Sequence, residues 1–336
     1  MKRLMRLTAL LLALSLCILP VHAAEPEDGT VYFTEWSEGL DEIMANYMAE
    51  HNLSEKNFSM GYLYTGTGEY WYYNEEKLMI GGSIYKLPLN MRVTEKVLAG
   101  ELSWDDRVAG VLLPEAQHMS IAYSNNPISE AMQRYMVGRE SGYYIDYRNE
   151  IAKYSGSFLE SIPNGYYSGN VFSSEFMLNT ILYLYNHQET FSDIIGYMTE
   201  STPGANFRLY EGDYTIAHKY GAKNAVLNDV GIIYTPTPFL LVVLTDGAAN
   251  REEILGELCL LMTEYTLGLD AKYEAERQAS IAEAAQLAEI LAAEEAAAIA
   301  GSRESEQLRD LAADAEHFIA DLADSLAFSA LQFCFP

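Results

Sequence analysis

Strand-like sequence occurs in two widely separated stretches of this chain, and that distribution constrains the fold more than any other feature. Phe58–Tyr64 and Tyr70–Asn74 alternate side chains on either side of Thr65-Gly66-Thr67-Gly68, the pattern of an antiparallel hairpin closed by a glycine-containing turn. Further strands follow only after a long interval, ahead of a closing helix near Arg251–Leu267. A helix is expected near Trp36–Glu50, and the interval from Ser83 to about Gly196 reads as all-helical. Segments from both ends must therefore share one antiparallel sheet, with the helical interval forming a second lobe. The class is α+β, and the natural place for a ligand cleft is between sheet and lobe.

Three short motifs fall where that cleft would be: Ser83-Ile84-Tyr85-Lys86, Tyr123-Ser124-Asn125-Asn126 and His218-Lys219-Tyr220-Gly221. Gly81 and Gly82 allow a tight entry into a helix whose Ile84, Leu87, Leu89, Met91, Val93 and Val97 read as mostly buried. Ser83 then lies in the first turn, where free backbone N–H groups and the helix dipole favour developing negative charge. Lys86, three residues on, is expected on the same face with its amine toward the Ser83 hydroxyl. Burial in an apolar helix would lower that amine toward a useful base. Ser-x-x-Lys alone occurs by chance, and a helix-capping serine beside an unrelated lysine would look the same. The ordered trio gives it weight: a nucleophile with its base, a second hydroxyl and amide, and a cationic strand, which point to acyl transfer.

In these motifs the chain resembles the penicillin-recognising serine hydrolases, most closely the class A beta-lactamase domain, over about residues 28–268. The resemblance implies a beta-lactamase/transpeptidase-like fold, with the antiparallel sheet flanked by helices. It makes Ser83 the acylated serine and Lys86 its proton acceptor. Ser124 and Asn126 match the ends of the Ser-Asp-Asn loop, with Asn125 in place of the aspartate, and Tyr123 precedes them beside the substrate. Lys219-Tyr220-Gly221 matches Lys-Thr/Ser-Gly, and Ala222 with Ser83 would supply the oxyanion N–H groups. Asn228-Asp229-Val230-Gly231, leading into Ile232 and Ile233, and then Phe239–Leu244, look like the last two strands. The implied substrate is a beta-lactam or a D-Ala-D-Ala-like peptide of the peptidoglycan stem type.

Three departures from the family pattern bear on function. Ser83 and Ser124 are closer in sequence than is usual for class A, which implies a trimmed helical lobe and a more open cleft. Tyr220 stands where a small hydroxyl residue binds the substrate carboxylate; its phenol either fills part of that pocket or donates to the carboxylate. The omega-loop signature is missing, although Glu160-Ser161-Ile162-Pro163-Asn164 keeps a glutamate and an asparagine at suitable spacing. Glu160 is thus either the deacylating base or a solvated loop carboxylate. With it, the enzyme is a beta-lactamase; without it, a penicillin-binding D,D-peptidase or esterase that deacylates slowly, or a non-catalytic secreted binding protein.

The ends and composition fit an exported protein. Lys2, Arg3 and Arg6 precede the apolar run Leu7–Leu19, and Val21-His22-Ala23 offers small residues for cleavage before Ala24, so residues 1–23 read as a signal peptide. The run is shorter than the ~20 residues a membrane span needs. After cleavage Cys259 and Cys334 remain, enough for one bridge but not a disulfide framework; an apolar helix makes Cys259 a core residue. A net charge of -27, from 48 acidic residues against 21 Lys and Arg, argues against nucleic acid and anionic surfaces. The six histidines show no ligand spacing; no metal or cofactor is implied. Arg208 is a candidate for an anionic substrate or an ordinary surface residue.

Residues 271–330 form an Ala/Glu-rich tail of strong helix formers, broken by Gly301-Ser302 into two arms. Leu308, Leu311, Ala315, Phe318 and Leu322 recur at coiled-coil spacing, so the second arm is expected to pack on the first as a hairpin or on another chain. None of its residues is expected in the cleft.

Overall fold

A computed structural model of the chain describes residues 39–156, 162–202, 205–210, 212–300 and 312–320. The chain divides into two compact units between Leu267 and Gly268. In the first, α1 (Leu40–Glu50) leads into the hairpin of β1 (Phe58–Tyr64) and β2 (Tyr70–Tyr73), and the late strands are β7 (Thr215–Lys223), β8 (Val226–Tyr234) and β9 (Phe239–Asp246). They form one antiparallel sheet in the order β2-β1-β9-β8-β7, with Phe58 opposite Thr245 and Tyr64 opposite Phe239. The two ends of the domain do share a sheet, as the strand distribution requires.

The strict alternation expected in the hairpin gives way in β1, where all seven residues are buried. β1 is an interior strand covered on both faces: α6 (Ser174–Asn186) packs on one, as the buried bond from Ser59 Oγ to Ser174 Oγ at 2.7 Å shows, and α8 (Arg251–Ala300) on the other, where Tyr62 Oη meets Thr266 Oγ1 at 2.9 Å. A strand buried on both faces loses the polar half of its pattern. The tyrosines of this region serve packing: Tyr62 is fully buried and tilts against Phe239, and Trp71 stacks on Tyr73.

The interval from Ser83 onward is helical with two exceptions. Its helices are α2 (Lys86–Leu98), α3 (Leu113–Ile121), α4 (Asn126–Val137), α5 (Tyr144–Ala152), α6 and α7 (Ser192–Thr199). The expectation of an all-helical interval is corrected by two small ladders: β4 (Arg107–Val108) pairs with β5 (Val111–Leu112), and β3 (Met79–Ile80) with β6 (Val171–Phe172). Two-residue strands are too short for a periodic signal. Helix α2 is the axis of the lobe, and its Leu87, Leu89, Met91 and Val93 are fully buried. Such a helix is apolar on nearly every face because other elements surround it, and each large side chain contributes about 1.5–3 kcal/mol. Pro88 sits in its first turn, where no N–H bond is lost.

The expected boundary between closing helix and tail falls inside one continuous helix. α8 runs unbroken from Arg251 to Ala300, and what changes along it is burial: Ile254, Leu255, Leu258, Cys259 and Met262 are core residues, whereas Ile281, Leu287 and Ile290 are exposed. Helix propensity sustains the helix where core burial ends. Residues 312–320 are helical, with Phe318 58% exposed. The expected signal peptide, Gly301-Ser302, Leu308, Leu311, Leu322 and Cys334 lie outside the described residues. Among the described residues, no helix is long and apolar enough to cross a membrane.

Candidate active site

Ser83 lies in a 3-10 turn, Gly82–Tyr85, that precedes α2. The tight entry is real, and its cause is steric. Gly82 has φ +58, and a Cβ there would come within 2.8 Å of the Ala222 nitrogen; a Cβ on Gly221 would lie 2.2 Å from the Gly81 carbonyl and 2.8 Å from the Ser83 nitrogen. Edge strand β7 thus runs against the Ser83 turn at glycine distance, bringing the Ser83 and Ala222 backbones side by side. Two amides, Asn228 fully buried and Asn170 partly buried, clamp this approach. Asn228 Nδ2 donates to the Ile80 and Gly81 carbonyls at 2.8 and 3.1 Å, and Asn170 Nδ2 donates to the Gly82 carbonyl at 2.6 Å.

Ser124 is where the three motifs meet. Lys86 Nζ donates to the Ser124 carbonyl at 2.5 Å, to Ser124 Oγ at 3.1 Å and to Asn126 Oδ1 at 2.7 Å. From the other wall Lys219 Nζ donates to the same Ser124 Oγ at 3.1 Å and to the Tyr220 carbonyl at 2.9 Å. The expected hydrogen bond from Lys86 to Ser83 is absent among the described residues. All three N–H groups of a lysine ammonium are engaged by the Ser124–Asn126 segment, so Lys86 reaches Ser83 only once a proton has left the amine.

Both amines are buried without a carboxylate partner. Among the described residues, no carboxylate hydrogen-bonds Ser83, Lys86, Ser124 or Lys219. Burial lowers Lys86 to about 8, partly opposed by the negative charge of Glu130. Burial also lowers Lys219, and the neighbouring Lys86 charge adds to it, giving about 7 with Asp229 acting in the opposite sense. Desolvation and like charge both disfavour the ammonium, and a poised amine in a cleft is the signature of a functional site.

Ser124 is held there at a cost in backbone strain, with φ +52. Its neighbour shows why asparagine serves in place of aspartate: Asn125 caps α4, its Oδ1 accepting from Ile128 N–H at 3.0 Å. Beneath the loop runs a buried polar chain that motif reasoning missed. Ser129 Oγ donates to the Asn125 carbonyl at 2.6 Å and meets Ser120 Oγ at 2.8 Å; Asn90 Nδ2 reaches Ser120 Oγ at 2.9 Å and the Lys86 carbonyl at 2.7 Å. Asn90, set inside the apolar run of α2, was the available signal, since a buried amide needs partners. Asn170 and Asn228 gave no comparable signal, because strand and loop asparagines are ordinary.

The other residues singled out in the sequence fall as follows. Asn126 is exposed at the start of α4, and Tyr123 is 56% exposed with its ring edge-on to His118. The Tyr220 ring lies 4.3 Å from Lys219 Nζ, and burial raises its phenol above the ordinary tyrosine range, an effect the Ser124 side chain opposes. His218 is fully buried and bonds Asp229 Oδ2 through Nδ1 at 2.6 Å, so it flanks the site inside the sheet. Arg208 is spent on backbone: its guanidinium donates to the carbonyls of Met198, Thr199, Ser201 and Ile216. Glu160 lies outside the described residues. Among the described residues, no cluster of three or more His, Cys, Asp or Glu could hold a metal ion.

A sheet built from both chain ends, a helical lobe, and a serine turn facing two amines across a second serine define the beta-lactamase/transpeptidase-like class. The profile of the beta-lactamase enzyme family matches residues 39–119 and 148–265, more than half of the chain, and the protein belongs to that family. Solved structures agree in fold. The TLA-3 extended-spectrum beta-lactamase superposes with a TM-score of 0.56 at 16% identity, covering 68% of this chain and 98% of that one. A beta-lactamase from Chitinophaga pinensis gives 0.54 at 16%, covering 67% and 98%. An ancestral class A beta-lactamase gives 0.56 at 16%, covering 67% and 99%. No curated protein matches the sequence.

Proposed function

We propose that the protein is a serine hydrolase of class A beta-lactamase type, acylated at Ser83 by beta-lactam or D-Ala-D-Ala-like amides. The observation that carries this is Ser124 Oγ at 3.1 Å from both Lys86 Nζ and Lys219 Nζ, beside the turn that presents Ser83. Packing alone gives no reason to bury two amines on one hydroxyl, because the desolvation of each outweighs the opposing charge of Glu130 or Asp229. Neutral Lys86 takes the Ser83 proton, the hydroxyl attacks the carbonyl carbon, and the Ser83 and Ala222 N–H groups receive the developing oxyanion. Ser124 passes a proton toward the leaving nitrogen. Asn126 orients the acyl amide, while Lys219 and Tyr220, next to Gly221, meet the carboxylate end of the substrate.

The fate of the acyl-enzyme depends on Glu160. If it holds a water at the ester, turnover is that of a beta-lactamase. If it does not, the adduct persists as in a D,D-peptidase or an esterase. The basic Lys2–Arg6 segment and apolar Leu7–Leu19 run assign it to the cell envelope or exterior, consistent with such substrates.

Intact-mass measurement after incubation with penicillin tests the central claim. An adduct is expected on the native chain and none on Ser83→Ala; an unlabelled native chain, or equal labelling of both, overturns it. Adduct lifetimes in native protein and Glu160→Gln then separate the two fates: a longer life in the variant assigns the glutamate to deacylation, and equal lifetimes remove it.

A further inference from the structure

We propose that Asn90, Ser120 and Ser129 are positioning residues, a hydrogen-bonded spacer between the helix that carries Lys86 and the loop that carries Ser124; this deepens the acylation reading and rests on it. They come from three helices, α2, α3 and α4 in turn, and all three side chains are fully buried. Their hydrogen bonds can run in only one direction. The Asn125 carbonyl accepts and cannot donate, so the single proton of Ser129 Oγ goes to it at 2.6 Å. Ser120 Oγ must then donate to Ser129 Oγ, 2.8 Å away, while its own oxygen accepts from Asn90 Nδ2 at 2.9 Å. The second N–H of that amide goes to the Lys86 carbonyl at 2.7 Å. Turned over, the amide would set oxygen against oxygen there. The run thus ends on two backbone carbonyls, that of Lys86 and that of Asn125, the residue after Ser124.

Core packing does not account for these side chains. Among the described residues Asn90 Oδ1 has no hydrogen-bond partner, and a buried polar network left partly unsatisfied is less favourable than apolar side chains of the same shape. What the network supplies is a set length and direction between three helices, because hydrogen bonds are directional where apolar contacts are not. The Ser124 loop needs such a hold. Ser124 has φ +52, a strained backbone for a residue with a side chain, and its Oγ lies 3.1 Å from two amines on opposite walls. Lys86 also grips this loop, through the Ser124 carbonyl and Asn126 Oδ1. That grip changes during the reaction: a neutral amine keeps only two N–H groups and cannot hold all three of its acceptors. Asparagine and serine do not titrate in the working range, so the spacer holds the loop whichever state Lys86 is in.

A double-mutant cycle separates positioning of Ser124 from general support of the fold. Maximal rates of Ser83 acylation by benzylpenicillin are measured by mass-resolved labelling for native protein, Ser129→Ala, Ser124→Ala and the two changes combined. Ser129→Ala is expected to slow native acylation by about 10–10²-fold, the scale of a misplacement of up to about 1 Å. In the Ser124→Ala background the same change is expected to alter the rate by less than about twofold, because the group being positioned is gone. Ser120→Ala, one link further from the loop, is expected to show the same pattern with a smaller loss, and it takes the place of Ser129→Ala if urea melts show that variant unfolded. Equal losses in the two backgrounds would assign the network to the fold alone, and no loss in the native background would leave it without a role. Either result overturns the spacer while labelling of the native chain keeps the acylation reading. A native chain that takes no penicillin at Ser83 overturns both.

Discussion

Two groups of basic side chains in this protein differ in one respect, whether an acid answers each base. On the outer face of α2 and α5, Arg92 is met by Glu95 and Glu150, Lys96 by Glu101 and Glu150, and Lys153 by Glu95, with N–O distances of 2.7–3.2 Å. Burial pushes Glu95 up, but bonds from Lys153, Tyr154 and Tyr183 outweigh it and hold the carboxyl below its usual range. In the cleft, Lys86 and Lys219 are fully buried and, among the described residues, hydrogen-bond hydroxyl, carbonyl and amide oxygens, and both are lowered. The same residue types form ion pairs where charge is balanced and lose proton affinity where it is not. Unbalanced charge is costly to keep, and it is what supports the proposed chemistry at this cluster.

The comparison breaks most readily at Lys86. Lys86→Ala is expected to lower the Ser83 acylation rate by about 10²–10⁴-fold, the usual worth of a general base, measured by stopped-flow or mass-resolved labelling. In the native chain the neutral amine is the active form and predominates above its value of about 8, so acylation should climb from pH 6 and level off above pH 8. A profile flat across that range would remove Lys86 as the base.

Lys219 tests the cost side. Its folded value of about 7 lies below that of a free lysine, so between those values the unfolded chain binds more protons, and its contribution to stability rises with pH. Below pH 7 the amine is charged in both states, and the full desolvation penalty bears on the fold. Lys219→Met should therefore stabilise the protein at pH 6 by about 1–2 kcal/mol, with the gain shrinking as pH rises toward 10, while acylation falls. Urea melts at the two pH values check this; a destabilised variant at pH 6 would mean that Lys219 is better compensated than its surroundings indicate.

Smaller effects sharpen the contrast. Asn125→Ala removes the α4 cap and should cost about 1 kcal/mol, with a larger proportional loss of acylation than of stability, because the Ser124 backbone is held by the same loop. On the balanced face, Glu150→Gln should cost about 1 kcal/mol, because Arg92 keeps Glu95 and Lys96 keeps Glu101 as partners, and leave acylation unchanged. A strong activity loss in Glu150→Gln would erase the distinction between the two groups.

Much of the architecture was legible before any coordinates. The separated strand segments demanded one sheet from two ends, the glycines before Ser83 demanded a tight turn, and the three motifs named the cluster at Ser124. The short β3–β6 and β4–β5 ladders were not legible, because two residues carry no period. The continuity of α8 was not legible either, because the boundary near Ala271 rested on a change of composition and helix formers lie on both sides of it.

Residue types and their order determined that two serines and two lysines stand in three motifs of the family's order. Only the tertiary structure decided which of them touch. Helical spacing pointed Lys86 at Ser83, three residues away, yet the amine is turned to Ser124 and Asn126, contributed by a loop nearly forty positions further on. It decided too that Lys219 shares that oxygen with Lys86, that Asn125 caps a helix, and that Asn170 and Asn228 grip the Ser83 turn. Local sequence sets what a segment can form, because backbone sterics and hydrophobic period act over a few residues. Proton acidities and hydrogen-bond partners depend on burial and on neighbours brought from distant segments, and those exist only once the chain has packed.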